Sequence, residues 1–170
     1  TNASGCSATS VATPVTVNAL PVVASITGSS NVCTGSTTTL ASSTTGGTWS
    51  SNNNAVATVS TTGVVTGVAS GSVTITYSVT NAAGCTASAT ASMTVNPSAT
   101  ATIASGGATT FCAGGSVVLT ASAGSTYLWS NGLQTQSITA TTSGSYTVTV
   151  TNASGCSATS VATPVTVNAL

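Results

Sequence analysis

The sequence predicts an all-β protein: short strands folded into β-sandwich domains that follow one another in a linear array. Three observations carry this expectation. The chain is dominated by threonine and valine, whose branched side chains are stiff at χ1 and suit a pleated strand. Apolar and hydroxyl residues alternate with period two over several stretches, and no stretch has the helical period. Six or seven such strands fit into each unit of about 75 residues, the density of a sandwich.

Composition then narrows the function classes. The 170 residues include no Lys, Arg, Asp, Glu or His, whereas an ordinary domain is about 25% charged. Threonine occurs 38 times and serine 29 times. Without a basic surface the main source of nucleic-acid affinity is missing. Metal ligands reduce to cysteine, hydroxyl and backbone oxygens, so neither a metal nor a cofactor is expected. Acid–base chemistry keeps only tyrosine and cysteine, and the many hydroxyl nucleophiles have no neighbouring base to activate them. The composition therefore argues against an enzyme. Leu, Ile, Val and Phe total 32, close to the level where disorder becomes a concern, yet net charge is zero and β-branched residues abound. A folded chain is expected. No apolar run approaches the roughly 18 residues of a membrane span. The first residues lack the charged end and apolar run of a signal peptide, so any export signal is expected outside this segment.

Self-comparison sets the domain plan. Residues 1–20, TNASGCSATSVATPVTVNAL, recur unchanged as residues 151–170, a period of 150 residues. The chain reads as one full period plus the tail of the one before, with its ends inside a longer protein. Residues 1–20 are then the C-terminal strand region of a preceding domain. A weaker repeat divides the period: Ile26, Cys33 and Leu40 correspond to Ile103, Cys112 and Leu119, Trp49-Ser50 to Trp129-Ser130, and residues 80–85 to 151–156. Each half closes on Thr-Val-Asn, followed soon by Pro21 or Pro97. Two related domains are expected, 21–96 and 97–170, with almost no linker. Short joints ending at a proline favour a stiff rod.

In the first domain, strands are expected at 36–42, around Trp49, and from 73 to 80. There Val73, Ile75, Tyr77 and Val79 alternate with Thr74, Thr76, Ser78 and Thr80, the pattern of a half-buried antiparallel strand. Asn81-Ala82-Ala83-Gly84 reads as a hairpin loop, and a further strand runs to Asn96. The second domain repeats this order: strands at 116–122, around Trp129 and at 146–151, a loop at Asn152-Ala153-Ser154-Gly155, then strands to Asn168. Trp49, Trp129, Tyr77 and Tyr146 are expected in the cores, because so small a sandwich has little else large to bury. Tyr127 shares the face of Trp129 and is expected to be buried with it. Left exposed, these rings and Phe111 would instead form a sugar-stacking platform.

Residues 48–79, TWSSNNNAVATVSTTGVVTGVASGSVTITYSV, closely resemble bacterial immunoglobulin-like domains of group 2. The segment FCAGGSVVLTASAGSTYLWSNG and its continuation QSITATTSGSYTVTVTNASGC resemble the related PKD-like, Ig-like repeats. Such repeats are common in giant surface proteins of the Bacteroidota, including gliding-motility adhesins and other type IX-secreted proteins. The resemblance implies tandem Ig-like sandwiches, export to the cell surface, and service as stalks or adhesive modules. The complete lack of charge departs from the family's habit.

Five cysteines, Cys6, Cys33, Cys85, Cys112 and Cys156, are placed regularly, and in a secreted chain that means disulfides. The odd count follows from the repeat, since Cys6 is the copy of Cys156. Two connectivities compete. Cys33–Cys85 and Cys112–Cys156 would close within domains, each pair bracketing a tryptophan. Yet Cys33 and Cys112 precede the second strand while Cys85 and Cys156 follow the last hairpin. In an up-and-down count these positions lie a strand length apart, on the order of 20 Å or more, against the roughly 5.5–6 Å that a disulfide needs between Cα atoms. In a linear array the far end of one domain meets the near end of the next. That arrangement favours Cys33–Cys156 between domains, with Cys112 reaching the next repeat's copy of Cys85 and with Cys6 and Cys85 paired in neighbouring repeats.

Asn2-Ala3-Ser4 and Asn152-Ala153-Ser154 match the N-glycosylation pattern, read here as coincidence in a bacterial chain. The leading expectation is a non-catalytic stalk or filament segment of a long, repetitive extracellular protein at the cell surface. Its partners would be neighbouring repeats of the same chain, or identical chains in a fibre, since an uncharged surface favours association. The alternative is a glycan-binding adhesive module that uses exposed aromatics.

Overall fold

The computed structural model describes residues 3–170; Thr1 and Asn2, which open the repeated segment and one of the glycosylation patterns, lie outside the described residues. Every regular element among the described residues is a strand. The first module contains β1 (Thr27–Gly28), β2 (Asn31–Cys33), β3 (Thr37–Ala41), β4 (Thr48–Ser51), β5 (Ala57–Val59), β6 (Val64–Gly67), β7 (Gly71–Thr80) and β8 (Thr86–Asn96). They form two four-stranded sheets, β1-β3-β6-β5 and β2-β8-β7-β4. One core closes between them, with Leu40, Ala57 and Val65 from the first sheet and Val32, Val73, Ile75, Met93 and Val95 from the second. The alternation along β7 explains its position. Val73, Ile75 and Tyr77 are buried, while the intervening Thr74, Thr76 and Ser78 stay half-exposed. The β7–β8 hairpin pairs in unbroken antiparallel register from Gly71↔Val95 to Thr80↔Thr86 and is the long spine of the module.

The second module contains β9 (Ile103–Ser105), β10 (Thr110–Cys112), β11 (Val117–Ala121), β12 (Thr126–Trp129), β13 (Ser137–Ala140), β14 (Gly144–Tyr146), β15 (Val148–Thr151), β16 (Ser157–Thr159) and β17 (Thr163–Asn168). Its sheets are β13-β11-β9, β12-β15-β16 and β10-β17-β14. Val117, Leu119 and Ile138 meet Trp129, Val148, Val150 and Val165 in a second core, separate from the first. The break between β16 and β17 falls at Ser160. Its backbone N–H still donates to Val148 O at 2.9 Å, and its buried Oγ accepts the Val148 N–H at 3.1 Å.

Two pairings differ from the antiparallel expectation. β2 runs parallel to β8, with Cys33 opposite Asn96, and β10 runs parallel to β17, with Cys112 opposite Asn168. Cys33 and Cys112 therefore end short strands on the same sheet as the last strand of each module. Three-residue strands carry no readable period, so the alternation could not reveal them.

Two aromatics also differ. Trp129, Tyr77 and Tyr146 are buried, at 2%, 5% and 8% exposure, but Trp49 is only half-buried. Trp49 lies on β4, an edge strand opposite Tyr77, where only one flank of the ring has a neighbouring strand to cover it. Tyr127 is half-buried for a related reason. Its hydroxyl turns to the Gly124 backbone, donating to the carbonyl and accepting the N–H, both at 3.0 Å.

Residues 3–26 form no strand, although residues 7–18 among them are identical to the segment that forms β16 and β17 further on. The later copy has β15, β10 and β14 beside it; the earlier copy has no such strands against it. Propensity alone does not make a strand of this segment, because an unpaired strand leaves its backbone groups to water.

Candidate functional site

Two of the five cysteines meet at the joint between the modules. Cys33 Sγ is bonded to Cys156 Sγ, with Cα atoms 5.8 Å apart and a sequence separation of 123. Cys33 ends β2, and Cys156 opens the approach to β16 with 1% of its surface exposed. The within-module pairs do not form, and the register explains why. Cys33 sits opposite Asn96 at the end of β8, while Cys85 precedes Thr86 at its start. About ten residues of extended strand lie between them, roughly 33 Å. Cys85 and Cys112 are thiols, half-buried and exposed respectively, and Cys6 Sγ lies 4.0 Å from Ser4 O.

A polar clamp surrounds the bridge. Asn152 Oδ1 accepts the backbone N–H groups of Ser154 and Cys156 at 3.0 and 3.1 Å. Its own backbone N–H donates to Cys156 O at 2.9 Å, which closes the loop. Gly155 holds φ at +79° to complete that turn, a conformation that a side chain would resist. The remaining group, Asn152 Nδ2, donates to Pro97 O in the joint at 2.9 Å. From the first module's side, Thr34 N–H donates to Asn96 O at 2.8 Å, and Ser98 Oγ donates to Thr34 O at 2.7 Å. The joint residues 96–98 are thus held from both modules by hydrogen bonds as well as by sulfur. The sequence exposed the cysteines. It did not expose the roles of Asn152, whose only signal was its place at the head of a hairpin loop, or of Ser98, which had none.

A second feature lies on the first module. The rings of Trp49 and Tyr77 approach with centroids 4.6 Å apart, tilted at 44°. With Leu40, Ser42 and Thr62 they line an open groove of about 220 Å³. Tyr77 anchors it, since its hydroxyl donates to Thr44 O and accepts the Gly47 N–H, each at 2.9 Å. Tyr77→Phe is expected to destabilise the first module by about 1–3 kcal/mol, because both backbone partners lose their bond in a partly buried site. Urea unfolding followed at the tryptophans checks this, and an unchanged midpoint would show that water replaces the hydroxyl at no cost. Among the described residues no group of three or more His, Cys, Asp or Glu is placed to hold a metal ion. Among the described residues no helix is long and apolar enough to cross a membrane.

Residues 11–91 match the family model of the bacterial Ig-like domain (group 2). Among solved structures, murine CEACAM1b is 15% identical, covering 84% of this chain and 99% of that one with a TM-score of 0.38. The tandem Ig repeats of Dlar are also 15% identical, covering 87% and 99% with a TM-score of 0.34. Domains 1–6 of the surface layer protein SbsC are 21% identical over 79% of this chain, which spans 23% of that one, with a TM-score of 0.34. No curated protein matches the chain. This is an all-β protein of Ig-like sandwich fold, and its residues 11–91 carry the pattern of the group 2 bacterial Ig-like domain.

Proposed function

We propose that this chain is a non-catalytic structural segment, a stalk or filament unit, of a long repetitive protein displayed outside a bacterial cell. The observation that carries the reading is the covalent and hydrogen-bonded joint, which fixes one sandwich to the next through Cys33–Cys156, Asn152 and Ser98. A loose string of beads has no use for such a joint; an extended rod does. The 150-residue repeat supports continuation of the same arrangement. The resemblance to surface repeats of the Bacteroidota supports display by type IX secretion.

Small-angle scattering tests the reading, on this chain and on a two-period chain made of residues 1–170 followed directly by 21–170. A stalk lengthens in proportion to its periods. A radius of gyration that rises by only about a quarter, as for one compact body of that size, would overturn it.

The lack of charge suits an exposed, inert fibre and yields its own expectation. No side chain that changes charge appreciably between roughly pH 3 and 7 is present, so the folded and unfolded states bind nearly equal numbers of side-chain protons there. The slope of stability against pH is then near zero, with no stabilising or destabilising sign. Thermal midpoints measured across this window, and from low to high salt, are expected to coincide. A drift of several degrees would refute this account.

The groove of Trp49 and Tyr77 favours one other reading, a glycan-binding adhesive module in which a sugar ring stacks on Trp49. Titration with neutral oligosaccharides should then shift the Trp49 fluorescence. No shift with any of them removes that reading.

A further inference from the structure

The second module ends as the first does, and the first begins as the second does. In the first module Cys33 lies opposite Asn96, and the next residue, Thr34, donates its N–H to Asn96 O at 2.8 Å. In the second module Cys112 lies opposite Asn168, and the next residue, Ala113, donates its N–H to Asn168 O at the same 2.8 Å. The outgoing cysteine therefore has one backbone setting at both ends.

The incoming side is duplicated as well. Asn152 Oδ1 accepts from Ser154 and Cys156, its backbone N–H donates to Cys156 O, and its amide donates to Pro97 O, one residue after Asn96. Asn81 Oδ1 accepts from Ala83 and Cys85 at 3.1 and 3.0 Å, and its backbone N–H donates to Cys85 O at 3.0 Å. Its amide donates to Ala19 O at 2.8 Å, one residue after Asn18. Gly84 and Gly155 turn both loops at nearly the same φ, +80° and +79°.

Asn18 is the copy of Asn168 one period earlier. Cys85 Sγ lies 3.9 Å from Asn18 O, and Asn168 is the residue opposite Cys112. Shifting the second module back by one period therefore brings a copy of Cys112 beside Cys85. The matching pair at the internal joint, Cys33 and Cys156, is already bonded.

We propose that Cys112 forms a disulfide with Cys85 of the following copy, on the Asn81 clamp, so that the joints between periods are stapled like the joint within each period. This deepens the stalk reading and rests on its tandem arrangement. Each thiol gives up its proton, and the two electrons pass to a low-molecular-weight disulfide oxidant, which leaves as two thiols while the Sγ–Sγ bond forms. Cys85 and Cys112 are both thiols here, half-buried and exposed, and so open to that exchange.

The test uses the two-period chain with Cys85→Ser in the first period and Cys112→Ser in the second, so that peptides of the two identical periods cannot be confused. It is oxidised with oxidised glutathione, treated with an alkylating agent, digested without reduction and mapped by mass. The expected result is a peptide joining Cys112 to the second copy of Cys85, alongside a Cys33–Cys156 link in each period. The Cys33–Cys156 links report that the modules have folded and oxidised. With those links present, alkylated Cys112 and Cys85, or Cys112 bound to any other cysteine, overturns the proposal. Asn81→Ala in the second period gives an independent reading, since loss of the clamp should slow the staple several-fold while leaving the Cys33–Cys156 links intact. An equal rate would mean that the Asn81 clamp does not set the geometry. Scattering from the same chain separates the two ideas, because an extended but unstapled chain fails this inference and keeps the stalk.

Discussion

Trp129→Ala is expected to remove a large share of the second module's stability while leaving the first module's core unchanged. The indole is 2% exposed among Val117, Leu119, Ile138, Val148 and Val150, and its Nε1–H donates to Thr135 O at 2.8 Å. Removing a buried ring of that size costs about 3–5 kcal/mol in transfer and cavity terms. The orphaned Thr135 carbonyl can turn to water. A module of this length has a total stability of only about 4–10 kcal/mol, so the loss takes a large share of it. Hydrogen exchange resolves the two modules in one experiment. Amides of β11 and β15 should lose protection, and those of β7 and β8 should keep it. Trp49→Ala is the useful contrast. Its ring is half-buried on an edge strand, and a cost as large as that of Trp129 would contradict the difference in burial.

The double change Cys33→Ser/Cys156→Ser is expected to have the next largest effect, on the coupling between modules rather than on either core. The bridge closes a loop with a separation of 123 residues. Chain-entropy arguments put that at about 5 kcal/mol when everything inside the loop unfolds together. Changing both cysteines together avoids leaving one bridge partner as a new thiol, and Cys85 and Cys112 stay as they are in the parent. With the bridge intact, calorimetry should find the modules melting near one temperature. In the double variant they should separate into two transitions, the lower one shifted down by several degrees. Identical scans for the two proteins would show that the hydrogen bonds of Asn152 and Ser98 alone couple the modules.

The elements with a long period were legible in the sequence. Val73, Ile75 and Tyr77 marked the buried face of β7, and Val148 and Val150 that of β15, because alternation over several residues admits one register. The hairpin loops were legible from Asn and Gly at fixed offsets. What escaped had no local signal. β2 and β10 are three residues long and are fixed by the strand they join, which lies more than fifty residues away in sequence. The half-burial of Trp49 depends on β4 being an edge, a property of sheet order rather than of the residues around it. The repeated segment makes the point most directly, since one sequence forms strands at 157–168 and none at its earlier copy. At the joint, cysteine spacing together with a strand count indicated which ends face each other, whereas the clamping role of Asn152 became visible only with the loop geometry.

The bridge also decides how the chain would behave under tension. A pull on the two ends runs along the backbone to Cys33, crosses the sulfurs, and continues from Cys156, so the polypeptide between them lies outside the force path. Either core could rupture and the molecule would scarcely lengthen. With the bond reduced, rupture of the cores adds up to 123 residue steps to the path, on the order of 400 Å at about 3.3–3.6 Å per residue. The joint works as an inextensible strap over two folded bodies, and the redox state of its surroundings sets how far the strand can stretch.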